Sequence, residues 1–287
     1  MNKFLSTIGK AVSKLNPNDV RQTAEQPVHI GISAADDSRL AAMRRFLLPD
    51  GMSKERVRVS AAHIFELKPE ISQPQYDIDI YDSGLPLPKH AFTFYPQDPG
   101  RTIAQILEAK EELGIPLARQ FPVFRPQVVD RIIQDICQEN ALFAIATALP
   151  NIIPGMALPF AAGEFASDTA ILTMNQMRMA FMMAGASDRP IGYREQKSEI
   201  ASVIAGAFGW RAIARELAGK IPFGGGIVPK AAISYAGTWV AGKSLERLYR
   251  VGHGYSRAER HAIYDEGLAK GKKAALFLMD KARGKAG

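Results

Sequence analysis

The residues most suggestive of chemistry are GTWVAGKS at 237–244, which match the phosphate-loop spacing G-x-x-x-x-G-K-[ST]. In such a loop Gly237 and Gly242 would let backbone amides close around phosphates. Lys243 would meet the terminal phosphates and Ser244 would hold Mg²⁺. Three features oppose this cofactor site. Trp239 and Val240 are bulky where an amide nest takes small residues. The preceding AAISYA joins naturally with GTWVAGKS in one helix. After Ser244 no strand ends in a metal-binding Asp. A second strand–turn–helix entry lies at GISAADDS, 31–38. It has one Gly and no Lys, and Asp36 and Asp37 at the helix start would repel a phosphate. The strand ending Asp82-Ser83-Gly84 resembles a metal-facing strand end, but a lone Asp there is ordinary turn chemistry.

Other catalytic sets are missing. His29, His63, His90, His253 and His261 are scattered without metal-ligand spacing. Cys137, the single cysteine, has no His nearby in sequence and reads as a packed side chain. There is no G-x-S-x-G element. The basic ends lack interleaved aromatics or a known reading motif, which disfavours nucleic acid as a partner. The expectation is a protein without catalytic residues, metal or cofactor.

The elements that would position these residues alternate at first. PVHIGIS (27–33), VRVSAAHIFEL (57–67), QYDIDIYDSG (75–84) and HAFTFYP (90–96) read as strands. Ser33 and Asp36 form a capping-box-like start for a helix through Leu48. Asp98, followed by Pro99, starts another helix, which runs to Glu112 and stops at Gly114. This pattern predicts a small, mostly parallel sheet domain over 27–120. Residues 17–26 read as a polar linker and Pro-rich QFPVFRP (120–126) as a hinge. A helix from Pro126 to about Leu149 comes next, then helices over 168–186, 200–220 and 231–252. A last helix, 256–282, opens with the capping box Ser256–Glu259. The fold class is therefore α/β plus all-α, with the sheet domain followed by a hydrophobic helical bundle over 121–254. Residues 1–26 are set apart as an amphipathic helix and linker, and 255–287 as a basic C-terminal helix.

Hydrophobic mass is concentrated after residue 140. ALFAIATALPNIIPGMALPFAAG (141–163) carries no charge. About 20 apolar residues can cross a bilayer. However, Pro150, Pro154 and Pro159 each remove a helical hydrogen bond that lipid cannot replace. A helix, an apolar elbow and a second helix fit better. The helix at 168–186 carries Met174, Met177, Met179, Met182 and Met183, a pattern expected of core filling. Asn175, Gln176 and Arg178 interrupt it. They either cross-link helices, which their apolar surroundings favour, or join Met174, Trp210 and Arg211 as contacts to a partner. Ala232, Ala236 and Ala241, with Gly237 and Gly242, give a small-residue face for close helix packing.

The formal charge of +7 favours anionic partners. From Ser256 to Gly287 there are eight Lys/Arg against four Asp/Glu. At the other end MNKFLSTIGKAVSKLN (1–16) is amphipathic on helical spacing and basic off its apolar stripe, and Pro17 ends it. A single cysteine and no signal-peptide pattern favour a reducing cytoplasm.

Between residues 121 and 254 the chain resembles the bacterial family known as domain of unknown function 697. The likeness rests on NALFAIATALPNIIPG (140–155), LTMNQMRM (172–179), GAFGWRAIAREL (206–217) and IPFGGGIVPKAAISYAGTWVAGKSLERLYRVG (221–252). The resemblance implies a helical bundle, an association with the inner membrane, and a helical setting for the GKS residues. It also implies that 27–120 is a degenerate GTPase-like region. The phosphate-loop Lys is absent there, and N-K-x-D occurs nowhere in the chain. The expected function is thus a non-enzymatic protein that contacts an anionic lipid surface, a protein partner or itself. Its expected place is the cytoplasm, peripheral on the inner face of the membrane. A nucleotide-binding switch is the alternative.

Overall fold

A computed structural model describes residues 15–67, 74–148, 168–202 and 226–284. Residues 1–14 of the predicted N-terminal helix, residues 149–163 of the apolar run and most of the 200–220 helix, with Trp210 and Arg211, lie outside these residues. The protein is mixed α/β with many helices and a small parallel sheet. Its contacts divide it into two compact units. One comprises Asp19–Asp130 together with Ala184–Pro190, and the rest of the described residues form the other.

The first unit is built on strands β1 (Ile30–Ser33), β2 (Ile64–Glu66), β3 (Ile78–Asp82) and β4 (Phe92–Phe94). All pair in parallel, in the order β2-β1-β3-β4. Ile30 stands opposite Ile64 and Ile78, so the centre of the sheet is aliphatic. Val28, Ile30, Ile32, Ile78 and Ile80 are all essentially inaccessible to solvent, as expected for a sheet buried on both faces. Gly31 is required by this packing. A Cβ there would lie 2.7 Å from Tyr76 and 2.8 Å from the Asp79 carboxylate. That carboxylate is buried and accepts hydrogen bonds from the Gln75 and Tyr76 amides, 2.8 and 3.2 Å, pinning the entry to β3.

Helices α1 (Pro17–Glu25), α2 (Asp37–Leu47), α3 (Lys54–Ala61), α4 (Pro99–Ala109) and α5 (Gly114–Gln120) complete this part of the chain. Several differ from the sequence expectation for identifiable reasons. Residues 17–25 are helical rather than a linker. Asp36 alone caps α2, accepting from the Arg39 amide at 2.9 Å, while Ser33 remains the last residue of β1. Val57 and Val59 suggested a strand, yet Ser53 caps the segment and Glu55 bonds Arg58 one turn on. These local bonds settle α3 and leave only 64–66 for β2. Gly114 begins α5 instead of merely ending α4. Asp98 does cap α4, with Pro99 in its first turn. The expected hinge at 120–126 is packed: Phe121 and Phe124 are fully buried, and a 3-10 turn at Pro122–Phe124 leads directly into the next helix.

That helix, α6 (Arg125–Ala148), contains the boundary between the units. Helices α7 (Asp168–Ala186), α8 (Ile227–Val251) and α9 (Arg257–Gly284) come after it. Helix α9 lies along α8 and so belongs to the second unit, although the sequence set 255–287 apart. Glycines make the approach close. A Cβ on Gly271 would sit 2.8 Å from the Ala232 carbonyl, and one on Gly267 would sit 2.9 Å from Trp239. The capping box at the start of α9 is formed as expected. The Ser256 amide donates to Glu259 Oε2 at 2.7 Å and the Glu259 amide to Ser256 Oγ at 3.3 Å. Hydrogen bonds to the Glu259 carboxylate, first from the Ser256 amide and then from the Ser256 hydroxyl, hold its pKa down to about 2. No described helix is long and apolar enough to cross a membrane.

Candidate functional site

The GTWVAGKS segment lies wholly inside α8. Helical residues commit their backbone amides to carbonyls one turn back, so none can converge on a phosphate. Gly237, Gly242, Lys243 and Ser244 therefore do not form the nucleotide site that their spacing suggested. Gly242 instead admits a neighbouring helix, because a Cβ there would lie 2.8 Å from Ile133 and 3.2 Å from the Met179 sulfur. Lys243 bonds Glu246 at 2.9 Å and lies 5.0 Å from the ring of buried Trp239.

The candidate partner contacts on α7 face inward. Met174, Asn175 and Gln176 are all buried. Asn175 Nδ2 donates to Asn140 Oδ1 at 2.8 Å, and Asn140 Nδ2 donates to Thr238 Oγ1 at 2.8 Å. Gln176 Nε2 reaches the same hydroxyl at 3.3 Å, and that hydroxyl donates to the Ser234 carbonyl at 2.9 Å. A polar chain thus ties α6, α7 and α8 together inside an apolar surround. Arg178 pairs with Glu139 on α6. These side chains hold helices to one another. Met177, Met179 and Met183 fill the core. Cys137 is fully buried, and burial pushes its thiol pKa well up, so it is an inert packing group.

In the α/β unit the carboxyl ends of β1 and β3 mark the point where connections diverge toward opposite edges of the sheet. Ligand crevices of open α/β sheets form at such points. One is present here, of about 1000 Å³, between the residues that follow β1 and the 85–90 loop that follows β3. Leu40, Leu67, Tyr81 and Pro86 give it apolar walls, and Asp36, Asp37 and Lys89 give it charge. Its helix start is already occupied by the Asp36 carboxylate, so the crevice lacks the open amides of a phosphate cradle. Asp82 is buried at the end of β3. Its Oδ1 accepts from Arg39 Nη1 at 2.9 Å, which makes it a strand-to-helix tie. Among the described residues no three His, Cys, Asp or Glu side chains come together as metal ligands.

The most exposed apolar side chains of the second unit include a neighbouring pair on α9, Leu276 at 53% and Phe277 at 66%. Lys272 and Lys273 precede them by one turn and are exposed as well. The opposite side of the helix, Tyr264, Gly267, Gly271 and Ala275, is buried. The sequence shows that Leu276 and Phe277 are apolar, but their spacing alone does not say which apolar residues of the helix meet α8. Comparison with protein-family models, curated proteins and solved structures finds no match.

Proposed function

We propose that this protein is a non-enzymatic, membrane-associated protein of the cytoplasmic face of a membrane. Its helical part is a hydrophobic bundle of the type found in the domain of unknown function 697 family, and its α/β unit is a regulatory or vestigial GTPase-like region. The observation that carries the membrane reading is the exposed Leu276–Phe277 pair beside Lys272 and Lys273 on the free face of α9. Apolar side chains flanked by lysines suit a lipid interface, where the rings and chains enter the acyl boundary and the ammonium groups stay at the phosphates. Each Lys near an anionic surface contributes about 1 kcal/mol, and a buried Phe or Leu about 2 kcal/mol. The basic excess of the last thirty-odd residues acts in the same direction. The nucleotide-switch alternative has less support, because the GKS residues are helical and the crevice presents acids.

The test is sedimentation with phosphatidylglycerol vesicles at low and high salt. Binding that weakens with salt, and that falls at least tenfold in the Leu276→Asp/Phe277→Asp variant, supports the proposal. A wild-type protein that ignores the vesicles, or a double variant that binds them unchanged, refutes it.

A further inference from the structure

Away from the crevice, the α/β unit gathers four arginines from distant parts of the chain. Arg56 comes from α3, Arg119 from α5, Arg125 from the start of α6, and Arg189 from the segment after α7. Asp188 is the carboxylate at their centre. Its Oδ2 is 3.0 Å from Arg56 Nη2 and its Oδ1 is 3.6 Å from Arg119 Nη2. Its backbone is left-handed, φ 56°, a conformation uncommon outside glycine that tertiary contacts must hold. Arg119 also lies 4.0 Å from Glu25.

Part of this cluster serves to cap helices. Arg119 Nη1 donates to the carbonyls of Gly185 and Arg189, and Arg125 donates from Nε to the Ala186 carbonyl at 2.9 Å. Arg125 Nη2 reaches the Ala118 carbonyl, and Arg56 Nη2 the Arg119 carbonyl. Carbonyls at helix C-termini attract cations. Capping leaves donors unspent on two of the four arginines. Arg56 Nε and Nη1, and Arg125 Nη1, make no hydrogen bond to any described residue. Both side chains line one cavity of about 350 Å³, whose walls are completed by Pro49, Met52, Pro122 and Ser187. Asp50 and Asp188 also line it. The cavity thus brings the guanidiniums of Arg56 and Arg125 together with the carboxylates of Asp50 and Asp188. The crowding shows in Arg125. Burial lowers its pKa first; Asp188 opposes this, and Arg56, Arg119 and Arg189 add to it.

We propose that Arg56 and Arg125 form a binding site for a phosphate group. A single planar carboxylate is satisfied by one guanidinium fork, whereas a tetrahedral phosphate offers acceptors in several directions and can take donors from two walls at once. The Ser187 hydroxyl on the same wall suits a further phosphate oxygen. The phosphate is that of a small soluble ester or that of a phospholipid headgroup, and either source presents the same chemistry to the two arginines. The proposal does not depend on α9 or on the membrane reading above.

The experiment is calorimetric titration with inorganic phosphate at constant ionic strength, with chloride as the control anion, alongside sedimentation with phosphatidic acid vesicles. Saturable binding of phosphate and not chloride, weakened at least tenfold in Arg56→Gln, supports the site and a soluble source. Vesicle binding that survives Leu276→Asp/Phe277→Asp but is lost in Arg56→Gln supports the site and a headgroup source. Arg125 also caps a helix end, so Ser187→Asp, which places a carboxylate in the cavity, is the second variant and is expected to abolish binding. The proposal is overturned if neither probe binds saturably, if chloride competes equally, or if Arg56→Gln and Ser187→Asp bind as well as wild type.

Discussion

Gly271→Ala is the sharpest probe of how the helical unit is held together. Gly271 lies in the middle of α9, where alanine is intrinsically the better residue by about 1 kcal/mol. An isolated helix would gain from the substitution. In the folded protein the new Cβ would lie 2.8 Å from the Ala232 carbonyl oxygen and 3.0 Å from the Ala232 Cα. Both are backbone atoms, so rotamer changes cannot relieve the contact, and α8 and α9 must separate. Overpacking of this kind costs roughly 1–3 kcal/mol, and separation also loosens the seam around Ala236 and Trp239. The net expectation is a loss of about 1–2 kcal/mol in Gly271→Ala. Gly242→Ala supplies the internal comparison. There the Cβ meets the two branch atoms of fully buried Ile133 at 2.8 Å, which are fixed close to their own backbone, and the Met179 sulfur at 3.2 Å, which can move, so a loss of about 1–2 kcal/mol is expected there as well. Urea unfolding followed by tryptophan fluorescence, with Trp239 at the seam, reads both variants. If Gly271→Ala is as stable as wild type or more so, the close-packed seam is refuted, and an unharmed Gly242→Ala refutes the close approach of α8 to Ile133.

Three other substitutions and one chemical probe test separate parts of the structure. Asn140→Ala removes the middle of the chain that joins Asn175 to Thr238 and leaves buried partners unpaired; unfolding should reveal a loss of about 2–4 kcal/mol, more than Ser53→Ala, where only a helix cap worth about 1 kcal/mol is lost. The Glu259 pKa is about 2 against an ordinary 4.5, so its share of stability is present above 4.5 and fades as pH falls toward 2. Glu259→Gln should flatten that acid limb in melting curves recorded between pH 5 and 2, and an unchanged limb would show that the capping box contributes nothing. Cys137 should resist alkylation in the native state and react readily in urea, with native-state labelling at the rate of a free thiol counting against its burial.

What the sequence determined by itself was the set of features whose physics closes within a few residues. The Ser256–Glu259 box, the Asp98 cap followed by Pro99, and the span Asp168–Ala186 all arise from local spacing, because a cap and the amide it satisfies lie within one turn. Lys243 and Ser244 show the limit of that reasoning. Their letters fit a phosphate loop, and only the continuous helix from Ile227 to Val251 shows that the amides are already committed. Val57 and Val59 tolerated strand or helix on propensity, and the Ser53 cap with the short β2 decided between them. The buried face of α9 was set by its glycines meeting α8, which turned Leu276 and Phe277 outward. The strand order and the gathering of Arg56, Arg119, Arg125 and Arg189 were decided by tertiary structure alone. Those residues are far apart in the chain, and charges so distant in sequence share an environment only once the fold has brought their elements together.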